Sequence, residues 1–238
     1  MTILRGAGFL LRHELRRDRL ALLVTLVFFT YLALIVPTLD EPPSQMSPRA
    51  SWLPDFMYFT FVPYFGFVVK KSMFRFWRDD PVSKRLASWL AMPISSSHIV
   101  LSRFLYMLLV LIPGIAYFFT MAYLISDWYK EEMSLGAFVN FGLFWFGYAL
   151  IWSSIFVVWE LTLSGKHFTW WCMTYVPVVA ALAVLPNVWW GSVLESQVHR
   201  AKAGEWGAAI LAVVIGLTVM IVCMWRARSR LERRNLVN

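Results

Sequence analysis

The sequence predicts an all-α, polytopic membrane protein whose 238 residues form a single transmembrane domain. Two observations carry this prediction. Hydrophobic residues make up 59% of the chain and charged residues only 15%, whereas about one quarter of a soluble domain is charged. The charged residues are also clustered, so that several stretches reach the roughly 20 apolar residues that a helix needs to cross a bilayer. Lipid is therefore the simplest solvent for these stretches.

Six stretches of the chain are predicted to be transmembrane helices. They are residues 20–36, 52–69, 100–125, 137–159, 168–190 and 207–225. The second contains two prolines, and we expect neighbouring helices to satisfy the backbone groups that proline leaves without partners. Two acidic residues, Asp55 and Glu160, lie near the ends of predicted spans. We expect both side chains to reach an interface with water.

The distribution of Lys and Arg predicts the orientation. Of 22 such residues, 18 lie in residues 1–19, 70–103, 166 and 226–238, and 4 lie in the other loops. Because Lys and Arg concentrate in cytoplasmic loops, both termini are expected in the cytoplasm. The same distribution accounts for the net charge of +8 without a nucleic-acid partner.

The first 19 residues have the pattern of a basic amphipathic helix. At about 100° per residue one stripe is apolar and another is basic, and Phe9 is the exception that falls on the basic side. The two stripes are Leu4, Ala7, Leu11 and Leu15, and Arg5, Arg12, Arg16 and Arg19. Such a helix is expected to lie in the membrane interface. The alternative is a helical extension of the first span that carries ordinary orienting charges.

The cytoplasmic loop over residues 73–99 is too long to be a simple connection. Asp80 is a suitable N-cap and Pro81 a suitable first helical residue. A short amphipathic helix is predicted to follow, with an apolar stripe, with Lys84 and Arg85 off that stripe, and with an end at Pro93. The apolar stripe is Val82, Leu86, Trp89 and Leu90. The alternative is an orienting loop that lies on the lipid headgroups.

The end of this loop resembles the permease subunits of ABC-2 type ATP-binding-cassette transporters. The resemblance rests on a leucine followed by Pro, a β-branched residue, Ser, an aliphatic pair and a basic residue that opens span three. The matching residues are Leu90, Met92, Pro93, Ile94, Ser95, Ile99, Val100, Leu101, Ser102 and Arg103. The upstream half departs from the family, since Leu86 and Ala87 stand where a Gly-Thr pair is usual. The layout of six spans behind an N-terminal interfacial helix agrees with the family along the whole chain.

The resemblance implies that residues 80–90 are a coupling helix that docks into a cleft of a separate ATPase subunit. The implied docking residues are Asp80, Val82, Lys84, Arg85, Leu86, Trp89 and Leu90. The sequence contains no G-x-x-x-x-G-K-[ST] motif, so ATP and magnesium are expected on the partner ATPase and no cofactor is expected on this chain. A second copy of this or a similar permease would complete the transporter.

The function implied is export of an amphipathic, lipid-like or peptide cargo across the bacterial cytoplasmic membrane. An ion- or proton-coupled carrier or channel is the first alternative, and an intramembrane enzyme is the second. The G-x-S-x-G and H-E-x-x-H motifs of membrane proteases are missing from the sequence, and Cys172 and Cys223 are isolated in apolar stretches. No catalytic or metal-binding residue is therefore predicted.

Overall fold

The computed structural model describes residues 3–39, 52–70, 80–90 and 95–233, and these ranges fold into helices with short connections and without strands. The α-helices are α1 (Ile3–Arg17), α2 (Arg19–Ile35), α3 (Leu53–Phe61), α4 (Pro81–Leu90), α5 (Ser96–Ile125), α6 (Asp127–Glu132), α7 (Leu135–Thr162), α8 (Gly165–Trp190), α9 (Val193–Lys202) and α10 (Gly207–Glu232). Turns of 3-10 helix follow α2 at Val36–Leu39 and α3 at Val62–Gly66. Residues 40–51, which lie between the first two predicted spans, and the helix-ending Pro93 lie outside the described residues.

Four helices, α5, α7, α8 and α10, are long and apolar enough to cross a membrane. The pair α1 and α2, which is bent by 72° at Asp18, makes a fifth candidate if it is counted as one span. The all-helical class is thereby confirmed for the described residues, and the apolar helices support a chain that is embedded in a membrane. The number of six crossings stays a prediction.

The chain direction gives the bundle two distinguishable ends. We call the end that holds Arg103, in the second turn of α5, and Glu160, in the last turn of α7, the basic end, because α1 with its arginines also packs there. We call the other the far end, where the short helices α6 and α9 lie. The amide of Asn140 near the start of α7 donates to the carbonyl oxygen of Glu205, just before α10. Helices α7 and α10 therefore run parallel from the far end.

The backbones of α7 and α10 are in direct contact. A Cβ atom added to Gly147 would lie 2.4 Å from the backbone carbon of Ala212. A Cβ atom added to Gly216 would lie 2.9 Å from the carbonyl oxygen of Gly147. Small residues permit this approach, which is how membrane helices associate when lipid is as apolar as their side chains.

The segment over residues 53–70 crosses the bundle without being a continuous helix. Near its start, Asp55 contacts the first residues of α9 at the far end. At its end, Lys70 contacts Asp18 at the basic end. Between them α3 ends at Phe61, a 3-10 turn follows, and Phe67 is extended, with φ of −124° and ψ of 149°.

Side-chain hydroxyl groups replace the backbone hydrogen bonds lost in this segment. Pro63 has no N–H and cannot donate to the carbonyl oxygen of Phe59, four residues earlier. The hydroxyls of Tyr148 and Tyr175 donate to that oxygen at 3.1 and 2.7 Å. Further along, Ser153 Oγ donates to the carbonyl oxygen of Pro63 at 2.8 Å. Backbone that is removed from water needs partners of this kind, because an unsatisfied carbonyl oxygen is costly there.

Candidate functional site

A buried ion-pair cluster joins three helices at the basic end. Arg103 of α5 donates through Nη1 to both carboxylate oxygens of Glu14 in α1, at 3.2 and 3.1 Å. Its Nη2 donates to both carboxylate oxygens of Glu160 in α7. Glu14 is fully buried, and Arg103 and Glu160 are 6% and 8% exposed. The planar guanidinium suits this role, since its two forks meet two carboxylates at once.

A second group of charges lies beside the first, at the bend between α1 and α2. Asp18 pairs with Lys70 and accepts a hydrogen bond of 3.1 Å from the hydroxyl of Tyr106. Arg17, which is half exposed, places its Nε 3.5 Å from the same carboxylate. Burial alone would raise the pKa of Asp18, but the hydrogen bond and charge of Lys70 outweigh it and lower the pKa below its ordinary value.

The helix α1 packs closely on α5 as well as bonding to it. A Cβ atom added to Gly6 would lie 2.2 Å from Cδ2 of His98, so a larger residue there would require that ring to move. The buried face of α1 consists of Ala7, Leu10 and Glu14, and two predicted apolar-stripe residues, Leu11 and Leu15, are half-buried at its edge. The apolar side of α1 is therefore largely covered by protein.

The helix predicted over residues 80–90 is present as α4, which packs against α7 and α8. Leu86 and Trp89 are buried there, at 1% and 7% exposure, and belong to the main apolar core of the protein. Lys84 is exposed, and Asp80 is half-buried with φ of +39°. The side chains of Val82, Arg85 and Leu90 lie outside the described residues. The docking role of these seven residues stays a prediction, but Leu86 and Trp89 face the protein's own helices.

At the far end, Asp55 caps the helix α9 instead of reaching water. It is fully buried. Its Oδ1 accepts from the backbone N–H of Leu194 at 2.7 Å and from Ser192 Oγ at 3.0 Å, and its Oδ2 accepts from the N–H of Val193 at 3.0 Å. A carboxylate at a helix N-terminus satisfies free N–H groups and complements the helix dipole. The expectation that Asp55 and Glu160 reach an interface is wrong, because both are buried and bonded to protein.

Sequence reasoning did not find the ion-pair cluster. It counted Arg103 as an orienting charge and gave no role to Glu14. One signal was available for Glu14, which lies four residues after Leu10 and seven after Ala7, on the face that the structure buries. The partners are 89 and 57 residues from Arg103 along the chain, and no local pattern connects them.

Among the described residues, no group of three or more His, Cys, Asp or Glu side chains is placed to hold a metal ion. Comparisons of the chain with protein-family models, with curated proteins and with solved structures returned no match. The function must therefore be argued from the chain's own residues.

Proposed function

We propose that the chain is the transmembrane permease subunit of an ATP-driven exporter of the ABC-2 type. The observation that carries the proposal is the helix α4, together with the family-like pattern that follows it in the sequence. Leu86 and Trp89 hold α4 to the membrane helices α7 and α8, while Lys84 and Ser88 are exposed on its other side. A coupling helix needs one face that packs against the membrane-spanning helices and another face that a partner can contact.

The proposed topology has six crossings with both termini in the cytoplasm of a bacterial cell. The four helices that pass on length and composition supply four crossings. We assign the fifth to α2 and the sixth to residues 53–70, which extend from α9 to Asp18. The excess of Lys and Arg at the basic end supports the cytoplasmic assignment.

In the proposed mechanism, the partner subunits bind ATP with magnesium and close on one another, and α4 moves with them. Leu86 and Trp89 pass the movement to the ends of α7 and α8. The bonds of Arg103 with Glu160 and Glu14 then couple α7 to α5 and α1. Two permease chains and two ATPase chains give the symmetric assembly in which such subunits work. The cargo is amphipathic, lipid-like or a peptide.

Purification of the full chain from its native host membrane tests the proposal. We expect a chain with a P-loop to co-purify in a fixed ratio and to hydrolyse ATP. Lys84→Glu should weaken the association, because it reverses a charge on the exposed face of α4. Lys130→Glu, an exposed change of equal charge on α6, is the control. A chain that is purified in folded form without any P-loop partner, or equal effects of both variants, would contradict the proposal.

The buried carboxylates support a second candidate, a proton-coupled carrier. Ionisable groups inside a membrane protein commonly belong to proton pathways, and Glu14 and Glu160 share one arginine at the basic end. The two candidates are distinguished in proteoliposomes that contain this chain alone. Proton movement without ATP or a partner, which is lost in Glu160→Gln, would favour the carrier over the exporter.

A further inference from the structure

The two acidic residues among the first 19 are both turned toward the protein. Glu14 is paired with Arg103, and Asp18 is paired with Lys70. Both carboxylates are thus withdrawn from the outward side of α1. The outward side consequently carries only basic charge, although the segment contains acids.

The outward face of α1 is formed by Arg5, Phe9, Arg12 and Arg16. All four are exposed, and at 3.6 residues per turn they fall within an arc of about 60°. The ring of Phe9 is 68% exposed. Within the described residues, no carboxylate pairs with any of these three arginines. This face lies opposite the buried residues Ala7, Leu10 and Glu14.

The angle between α1 and α2 determines the surroundings of the outward face of α1. The two helices are bent by 72°, so α1 lies across the end of the apolar helix α2. Leu20 and Leu23 at the start of α2 are 79% and 60% exposed, as side chains that contact lipid are. The arginines of α1 therefore lie at the level where an apolar span begins, which is the level of the phospholipid headgroups.

We propose that the outward face of α1 binds the phosphate groups of anionic phospholipids. Arginine binds phosphate through two parallel hydrogen bonds, and basic helices with an aromatic residue bind anionic membrane surfaces. Phe9 supplies the apolar group that enters between acyl chains. An acidic protein surface would match the arginines but would leave Phe9, Leu20 and Leu23 without an apolar partner. The proposal concerns the membrane and does not depend on an ATPase partner.

The test uses the full chain, purified in detergent, with phosphatidylglycerol and phosphatidylcholine as probes. Retention of each lipid is measured by native mass spectrometry and by thermal stabilisation during titration. We expect preferential binding of phosphatidylglycerol that weakens as salt rises. Since each basic residue near an anionic surface contributes about fivefold, Arg5→Gln/Arg12→Gln/Arg16→Gln should weaken this binding by about a hundredfold.

The matched control removes three exposed arginines at the end of the chain, Arg226→Gln/Arg230→Gln/Arg233→Gln. It lowers the net charge equally and should lose less binding, because Arg230 and Arg233 lie five and eight residues beyond the predicted span that ends at residue 225. Equal losses in both variants, or equal binding of the two lipids by the native chain, would overturn the proposal. Loss of a protein partner with intact lipid binding in the α1 variant would also overturn it. If the triple variant does not fold, Arg12→Gln and Phe9→Ser should each lower binding severalfold.

Discussion

The hydroxyl of Tyr175 in α8 donates a 2.7 Å hydrogen bond to the carbonyl oxygen of Phe59 in α3. That oxygen would accept from residue 63 in a continuous helix, but residue 63 is proline. Tyr148 of α7 donates to the same oxygen. The helices α7 and α8 thus both bond to the backbone of α3 close to its end.

Removal of these hydroxyls should destabilise the protein without breaking the fold. We expect Tyr175→Phe and Tyr148→Phe each to cost about 0.5–1.5 kcal/mol, the usual net value of one hydrogen bond. The double variant should cost more than either single variant, because it removes both side-chain donors from the Phe59 oxygen. Unfolding in detergent with increasing denaturant measures these differences. Tyr31→Phe, at an exposed position in α2, is the control, and a double variant as stable as the single variants would contradict the expectation.

Loss of Arg103 should be far more damaging than loss of an arginine at the surface. Arg103→Met removes the arginine that pairs with both buried carboxylates, Glu14 and Glu160, and breaking a buried pair costs about 3–5 kcal/mol. Arg228→Met removes an exposed pair with Glu232 and should cost less than about 1 kcal/mol.

A triple variant distinguishes the cost of stranded charge from the cost of lost packing. Glu14→Gln/Arg103→Met/Glu160→Gln removes the whole cluster, and we expect it to be more stable than Arg103→Met alone. Denaturant midpoints of the three variants give the comparison. If the triple variant is less stable than Arg103→Met, the carboxylates are not the source of the damage.

The carboxylate of Asp18 should make the protein less stable in acid. Its pKa is lowered in the folded protein from the ordinary value of 3.8, mainly because Lys70 outweighs the effect of burial. The stabilisation is therefore present above pH 3.8 and is lost as the pH falls through the lower folded value. In Asp18→Asn the thermal midpoint should fall less steeply below about pH 4 than in the native protein. Lys70→Met should flatten the curve in the same window, and an unchanged acid slope in Asp18→Asn would contradict this account.

The close contact between α7 and α10 should be sensitive to a single methyl group. Gly147→Ala places a Cβ atom 2.4 Å from the backbone of Ala212, which cannot move aside as a side chain can. We expect a cost of about 1–3 kcal/mol, the usual range for overpacking. Gly136→Ala lies in the same helix with no atom within 4 Å of the new Cβ, and it should be neutral or slightly stabilising. Equal denaturant midpoints for the two variants would show that α7 and α10 can move apart without a loss of stability.

The sequence predicted what depends on local pattern and missed what depends on distant partners. Apolar length identified the long helices, and Asp80 with Pro81 located the start of α4 within the range that the structure describes. Periodicity also identified Leu86 and Trp89 as one face of α4. Periodicity does not specify what packs against a face of a helix. Here α4 packs against α7 and α8 of the same chain. The bonds of Arg103 and the hydroxyl donors to Phe59 join residues 57 to 116 positions apart, beyond the reach of any local pattern.

The orientation of the bundle can be tested with single cysteines in a background without Cys172 and Cys223. Lys84→Cys lies on the exposed side of α4 and Glu195→Cys on the exposed side of α9. Because residues 53–70 connect the far end, where α9 lies, to the basic end, the two positions should lie on opposite sides of the membrane. In intact cells a membrane-impermeant maleimide should label Glu195→Cys, and Lys84→Cys should react only after the membrane is opened. Labelling of both positions in intact cells would rule out the six-crossing topology with a cytoplasmic α4, and with it the access that an ATPase partner needs.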